Sequence, residues 1–313
     1  MKFNLKTGLY FALATAIISG VSNFLNKKAI AVVGDSFIFT TAKNILVALS
    51  LCAILLFFAK FKELKKINRK QWLLLIVIGI VGGSLPFVLF FKGLTLTSAI
   101  QASFIHKSIF IWATLLAIPL LKEKITKLQI MALLILLAGN FILDGFTGWQ
   151  FGWGSLLILL ATLLWSCEYI IAKFVLHDIS SWIVAWSRMF FGAIVLLIWL
   201  GLSDKVSVVA SLGSLQWAWI SMGAILLLGY VGFWYTALKR QPVSVVASIL
   251  VLASPITTLI TVFNTGHFSF RQLVGVITIS LATIYIMSLS KNNVVILGFN
   301  PRISARPSGR SRG

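Results

Sequence analysis

Five ionisable side chains stand inside otherwise apolar stretches of this 313-residue chain: Lys43, His106, Lys107, Glu168 and Arg188. Burying a charge in an apolar interior costs several kcal/mol unless it is paired or hydrated. Each of the five is therefore expected to be a pair member, a ligand contact or a proton carrier. Glu168 and Arg188 lie on consecutive segments at similar helical depth and are expected to form a structural ion pair. Counting Lys43, Lys107 and Arg188 against Glu168 leaves the interior with an excess of two positive charges. That excess suits a carboxylate or phosphate, with Lys107 as the expected contact. Lys107 stands about ten residues into its segment, about 15 Å deep at the helical rise, which is too deep for easy snorkelling. Glu168 and His106 could exchange a proton, which makes protons a candidate coupling ion.

Polar spacing adds to this set. Ser19, Ser22, Asn23 and Asn26 recur at helical spacing on one stripe, read as a cavity face in preference to helix–helix glue. The matching sixth segment places Trp165, Glu168 and Tyr169 on one face, with Tyr169 where Asn23 stands in the first. The expected substrate-binding residues are thus Asn23, His106, Lys107, Trp165, Glu168 and Tyr169. Glu168, Arg188 and Lys43 are the expected charge pair or coupling groups. Phe87, Phe90, Phe91, Trp234 and Tyr235 are candidate cavity walls, with core or lipid contact as the open alternative. His106, His177 and His267 fall on separate segments without an HExxH pattern, and Cys52 and Cys167 read as small packing residues. No catalytic residue, metal or cofactor is expected, and no phosphate-binding glycine loop for ATP is present.

The elements that must carry these residues are membrane spans. Hydrophobic residues make up 59% of the chain and charged ones 11%, with mean hydropathy +1.00, whereas soluble domains keep about a quarter of their residues charged. The net charge of +20 does not point to nucleic acid, because the basic residues lie between apolar segments and not on one face. A crossing needs about 20 apolar residues. Segments 8–26, 37–59, 72–91, 98–121, 128–143, 154–176, 182–202, 217–238, 243–263 and 272–290 qualify. The first is expected to be an uncleaved span, and Pro86, Pro119, Pro242 and Pro255 to mark ends or kinks. With the N-terminus in the cytoplasm, nineteen Lys and Arg fall inside and five outside, so both termini are expected to be cytoplasmic in a multi-pass cell (inner or plasma) membrane protein.

The chain also repeats itself. Gly8 and Lys27 correspond to Gly154 and Lys173, Lys43 to Arg188, Leu94 to Leu238, and Gln129 to Gln272, the offset drifting only from 146 to 143. Five spans per copy make the second copy enter the membrane in the opposite sense, an inverted repeat of the kind that lets one scaffold open to either side. The expected fold is therefore an all-α integral membrane protein with ten transmembrane helices in two inverted five-helix repeats. Residues 1–146 and 147–291 form the repeats, and 292–313 a disordered basic cytoplasmic tail. The copies differ at Ser22 against Glu168, Lys107 against Val251, and Glu123 against His267.

The stretch "LTLTSAIQASFIHKSIFIWATLLAIPLLKEKITKLQIMALLILLAGNFIL" runs from a short loop through a span to Glu123 in a basic loop, then to a Gln-led final span. In the second copy "LKRQPVSVVASILVLASPITTLITVF" carries the mid-span Pro255, and Arg188 stands early in its second span. The repeated unit resembles the EamA domain of the drug/metabolite transporter superfamily over about residues 8–290. It departs from that pattern at Ile111, where the proline is expected, at His267, where the acid is expected, and at Lys43, where the arginine is expected. The resemblance implies a secondary transporter of a small organic metabolite, amino-acid-like or otherwise anionic or zwitterionic, working by alternating access as a monomer or homodimer in the lipid bilayer. A non-transporting assembly subunit is the second reading and an intramembrane enzyme the third.

Overall fold

The computed structural model describes residues 5–58, 61–145, 151–203 and 205–292, so the expected tail lies almost wholly outside the described residues. These fold into helices: α1 (Leu5–Val33), α2 (Ser36–Phe57), α3 (Phe61–Leu64), α4 (Arg69–Gly83), α5 (Leu85–Leu94), α6 (Ala99–Lys107), α7 (Ile109–Leu121) and α8 (Lys127–Asp144), followed by α9 (Trp153–Val175), α10 (Ser181–Leu202), α11 (Val206–Ala210), α12 (Ser214–Arg240), α13 (Val243–Leu250), α14 (Ala253–Thr265) and α15 (Phe270–Asn292). Among the described residues, ten helical stretches are long and apolar enough to cross a membrane, and there is no strand. The first helix continues to Val33, seven residues past the expected end. Lys27 and Lys28 end the apolar run without ending the helix, which stops where Gly34 turns to φ +84°.

The repeat's sequence landmarks are helix-start signals. Gln129 and Gln272 are the third residues of capping boxes with Thr126 and Ser269, each glutamine side chain accepting from the backbone N–H of its cap residue. Gln71 does the same with Asn68, and Gln216 accepts from Gly213 N–H. Each such pairing satisfies donors a helix start would leave bare. At the far end, α7 stops on Lys122 and α14 on Gly266, both in the left-handed region at φ 56° and 71°.

Three of the ten spans are broken. The third breaks at Ser84, before Pro86; the fourth breaks at Ser108, and the ninth at Val251 and Leu252. Ser108 and Leu252 stand at the same offset as Leu94 and Leu238, so both copies break the same helix in the same place. The ninth has Pro255 just beyond its break. In the fourth, where Ile111 replaces that proline, Ser108 Oγ donates to the Ile105 carbonyl (2.6 Å) and accepts from Trp112 Nε1 (3.0 Å). A hydroxyl thus takes up the carbonyl at the break that proline marks in the other copy.

The two halves interlock. Helix α1 packs chiefly on α12 and α14 of the second half, while α9 packs on α5, α7 and α4 of the first. The related pairs α8–α15 and α2–α10 pack on each other, completing a two-fold arrangement. Small residues set the closest crossings. A Cβ on Gly83 would stand 2.2 Å from the Arg188 carbonyl oxygen, and one on Gly192 would stand 2.7 Å from that of Gly83, so α4 and α10 touch backbone to backbone. Gly83→Ala is expected to destabilise the protein by about 1–3 kcal/mol through overpacking. Gly201→Ala, with nothing within 4 Å, should be neutral or stabilising. Thermal unfolding of both variants in the same detergent checks the contrast.

Candidate functional site

The interior site grows out of the α4–α5 break. Pro86 has no N–H, so the Gly82 carbonyl four residues before it loses its helical partner. Two donors from the second half take that partner's place: Trp165 Nε1 at 3.0 Å and Arg188 Nη2 at 3.1 Å. The same guanidinium lies 3.5 Å from Glu168 Oε2, and Tyr235 donates to Glu168 Oε1 at 2.6 Å and lies 3.4 Å from Arg188 Nη1. Glu168, Arg188 and Tyr235 come from α9, α10 and α12 and are all buried. Glu168 Oε2 is attracted to the guanidinium yet makes no aligned hydrogen bond. A Cβ on Gly82 would stand 2.4 Å from Glu168 Cγ, so the glycine makes room for the carboxylate arm.

Beside this set the rings of His106, Phe90, Phe87 and Trp165 form a cluster. His106 lies 4.8 Å from Trp165 and 5.3 Å from Phe90, and Phe87 lies 5.1 Å from Trp165 between ring centroids. The imidazole Nδ1 is buried without a hydrogen-bond partner. Tyr169 is buried with its ring 4.5 Å from that of Trp234, and its hydroxyl is hydrogen-bonded to Tyr230, within electrostatic reach of Glu168 and Arg188. The structure thus joins His106, Trp165, Glu168, Tyr169 and Arg188 into one region, with Tyr235 and the Gly82 carbonyl as additional members.

Lys107 departs from its expected place. Its ammonium is 2.7 Å from Asp144 Oδ1, on the last residue of α8. Since α8 is 18 residues long, about 27 Å at the helical rise, Lys107 reaches the Asp144 end of that span and not its middle. Side chains lean toward the N-terminus of their helix, which carries the ammonium back along α6 toward that end. The interior excess of two positive charges therefore falls to one. Only seven acids occur in the chain, so assigning each of them to a cation was the signal that could have revealed Asp144.

The remaining excess is Lys43. It is buried on α2, 4.7 Å above the Phe39 ring, and no carboxylate among the described residues pairs with it. Asn23 is exposed on α1. A cavity of about 640 Å³ opens between Gly34, Asp35, Phe91, Lys92, Trp199 and Lys205. None of the expected substrate-binding residues lines it, but Phe91 stacks on Phe87 (6.4 Å), so its wall adjoins the aromatic cluster. At its rim Asp35 caps α2 and pairs with Lys205. Burial raises the Asp35 carboxyl, but the hydrogen bonds from Lys205, Ile38 and Phe37 outweigh it and hold the group below the usual aspartate value.

At the opposite end the α12–α13 turn is gripped from both sides. Glu123, set by the left-handed turn at Lys122, accepts from Val243 N (2.6 Å), Ser244 N (3.2 Å) and Ser244 Oγ (2.6 Å). Lys173 donates to the Leu238 and Gln241 carbonyls. A carboxylate thus sits on the N-terminus of α13 and an ammonium on the C-terminus of α12, each at the dipole end that favours it. Their repeat mates, His267 and Lys27, are exposed.

A profile of the EamA-like transporter family matches the chain twice, over residues 6–143 and 152–288. A solved structure described only as the crystal structure of a protein superposes with a TM-score of 0.74 at 17% identity, over 92% of this chain and 99% of its own. That likeness speaks for the fold. No curated protein matches the chain.

Removing one member of the buried pair is expected to cost about 3–5 kcal/mol. Glu168→Ala and Arg188→Ala should each lower the unfolding temperature sharply, and the double variant should lose less than the sum. Additive losses in a double-mutant cycle would show that the two charges do not interact.

Proposed function

The chain belongs to the EamA-like transporter family of the drug/metabolite transporter superfamily, and we propose that it moves a small organic metabolite, amino-acid-like or otherwise anionic or zwitterionic, by alternating access. The observation that carries this reading is an interior polar set built where broken spans meet between interlocked halves: Glu168–Arg188–Tyr235 beside His106 and Trp165. A membrane protein that only scaffolds others has no need to bury such a set. The broken spans pack on each other through α7 and α13, so rocking one half moves the walls around the ring cluster. The membrane is a cell membrane, with both termini cytoplasmic by the excess of lysine and arginine on that side.

In this orientation the Glu123 and Lys173 grip closes the cytoplasmic end, and the cavity beside Asp35 and Lys92 faces outward. This arrangement suits an outward-facing state, in which the grip on the α12–α13 turn is what inward opening must release. Of the two candidates for proton exchange, His106 has the free ring nitrogen, whereas Glu168 is held by Tyr235 and Arg188.

Reconstituted protein should carry out substrate-dependent flux in proteoliposomes, with substrates found by a thermal-shift screen of amino acids, nucleosides, phosphorylated sugars and cationic drugs. A chain that binds none of these and passes no solute would defeat the proposal. Glu123→Gln places an amide donor against donor groups, so amide exchange at Val243 and Ser244 should accelerate while the rest of α13 changes little. Unchanged protection there would mean that the grip does not hold the end shut.

A further inference from the structure

The repeat relation sets Lys43 opposite Arg188 and Ser22 opposite Glu168, at offsets of 145 and 146. In the second half the α10 guanidinium meets the α9 carboxylate at 3.5 Å. In the first half the α2 ammonium is retained and the α1 carboxylate is missing. Ser22 Oγ in its place is buried with no hydrogen-bond partner. Near it, Asn26 Oδ1 is also buried and unpartnered, as is Asn44 Oδ1 on α2.

Lys43 and Asn26 meet at one glycine. A Cβ on Gly223 of α12 would stand 3.2 Å from Lys43 Cδ, 3.4 Å from Asn26 Oδ1 and 2.9 Å from Phe39 Cζ. The absence of a side chain at Gly223 is what gives the lysine its channel between α1, α2 and α12. Phe39 offers the ammonium a ring face at 4.7 Å. A ring face offsets only part of the cost of an unpaired charge in an apolar interior. An asparagine amide presents either its oxygen or its NH₂, depending on which way it is turned. Lys43 and the Asn26 NH₂, with the Ser22 hydroxyl one turn away on the same face of α1, therefore offer donors to an anionic group.

We propose that this pocket binds the carboxylate of the transported solute, which fills the place that Glu168 fills in the other half. The inference rests on reading the chain as a transporter and moves the anion contact from Lys107, which Asp144 already neutralises, to Lys43.

The test uses the full chain in detergent and in proteoliposomes. The probes are small amino and hydroxy acids, each compared with its primary amide at equal ionic strength. At least one acid should raise the unfolding temperature where its amide does not. Lys43→Met should weaken half-saturation about tenfold or more, the loss of one charge-assisted hydrogen bond. The same variant should leave the ligand-free unfolding temperature unchanged or higher, since a buried charge is gone. Lys43→Arg, the residue of the related position, should keep the acid-over-amide preference, and Gly223→Ala should reduce it by displacing Lys43.

Equal acid stabilisation in wild type and Lys43→Met overturns the proposal, as does the lack of any acid-over-amide preference across the panel. Flux separates the two levels of inference. Solute flux that is indifferent to Lys43→Met removes the subsite and leaves the transporter reading standing. Acid stabilisation that depends on Lys43, without flux of any acid, keeps the pocket and removes transport.

Discussion

Hydrocarbon offers a backbone carbonyl no hydrogen-bond partner, so every break in a spanning helix must find a donor within the protein. In this molecule that requirement organises the interior. Pro86 frees the Gly82 carbonyl, and Trp165 and Arg188 reach across from the other half to satisfy it. Arg188 then needs a counter-charge, which Glu168 supplies, and Glu168 accepts its hydrogen bond from Tyr235. One missing N–H thus ties α4, α9, α10 and α12 together. It also places the most polar residues of the chain at the seam between the repeats.

The exchange of first helices makes that seam extensive. With α1 lodged in the second half and α9 in the first, neither repeat closes its own core. What joins the halves at their ends is a small number of side-chain contacts. Those contacts are unequal. Glu123 and Lys173 hold the α12–α13 turn by its backbone, while their mates His267 and Lys27 are exposed. The opposite end is tied by Asp35 and Lys205 at the rim of the cavity, a pair of two partly exposed side chains. Surface pairs of that kind are worth about 0–1 kcal/mol, less than a buried carboxylate with three donors. Of the two ends, the one at Glu123 is thus the more firmly held.

Charge follows the same broken symmetry. Duplication supplies a cation at related places on α2 and α10, but only α9 carries the answering acid. The difference between Ser22 and Glu168 makes one site a structural clamp and leaves the other, at Lys43, without a carboxylate among the described residues. Lys107 is a different case, because Asp144 of the same half neutralises it.

Much of the architecture was legible in the chain. Ten spans, the duplication and its inverted sense follow from apolar length and odd parity, because lipid allows little else to cross it. Gln129 and Gln272 announced helix starts by their position alone, and Glu168 and Arg188 announced a pair by depth on adjacent helices. Local spacing did not reveal the exchange of α1 and α9, the proton donors at Gly82, or the Lys107–Asp144 pair. Each joins residues far apart in the chain, and which atoms meet depends on how the helices break and cross. The sequence by itself determined which residues must not face lipid. Only the tertiary structure decided which of them satisfy one another and which, as at Lys43, are left to something else, because pairing depends on distance and direction between helices that no periodicity along the chain encodes.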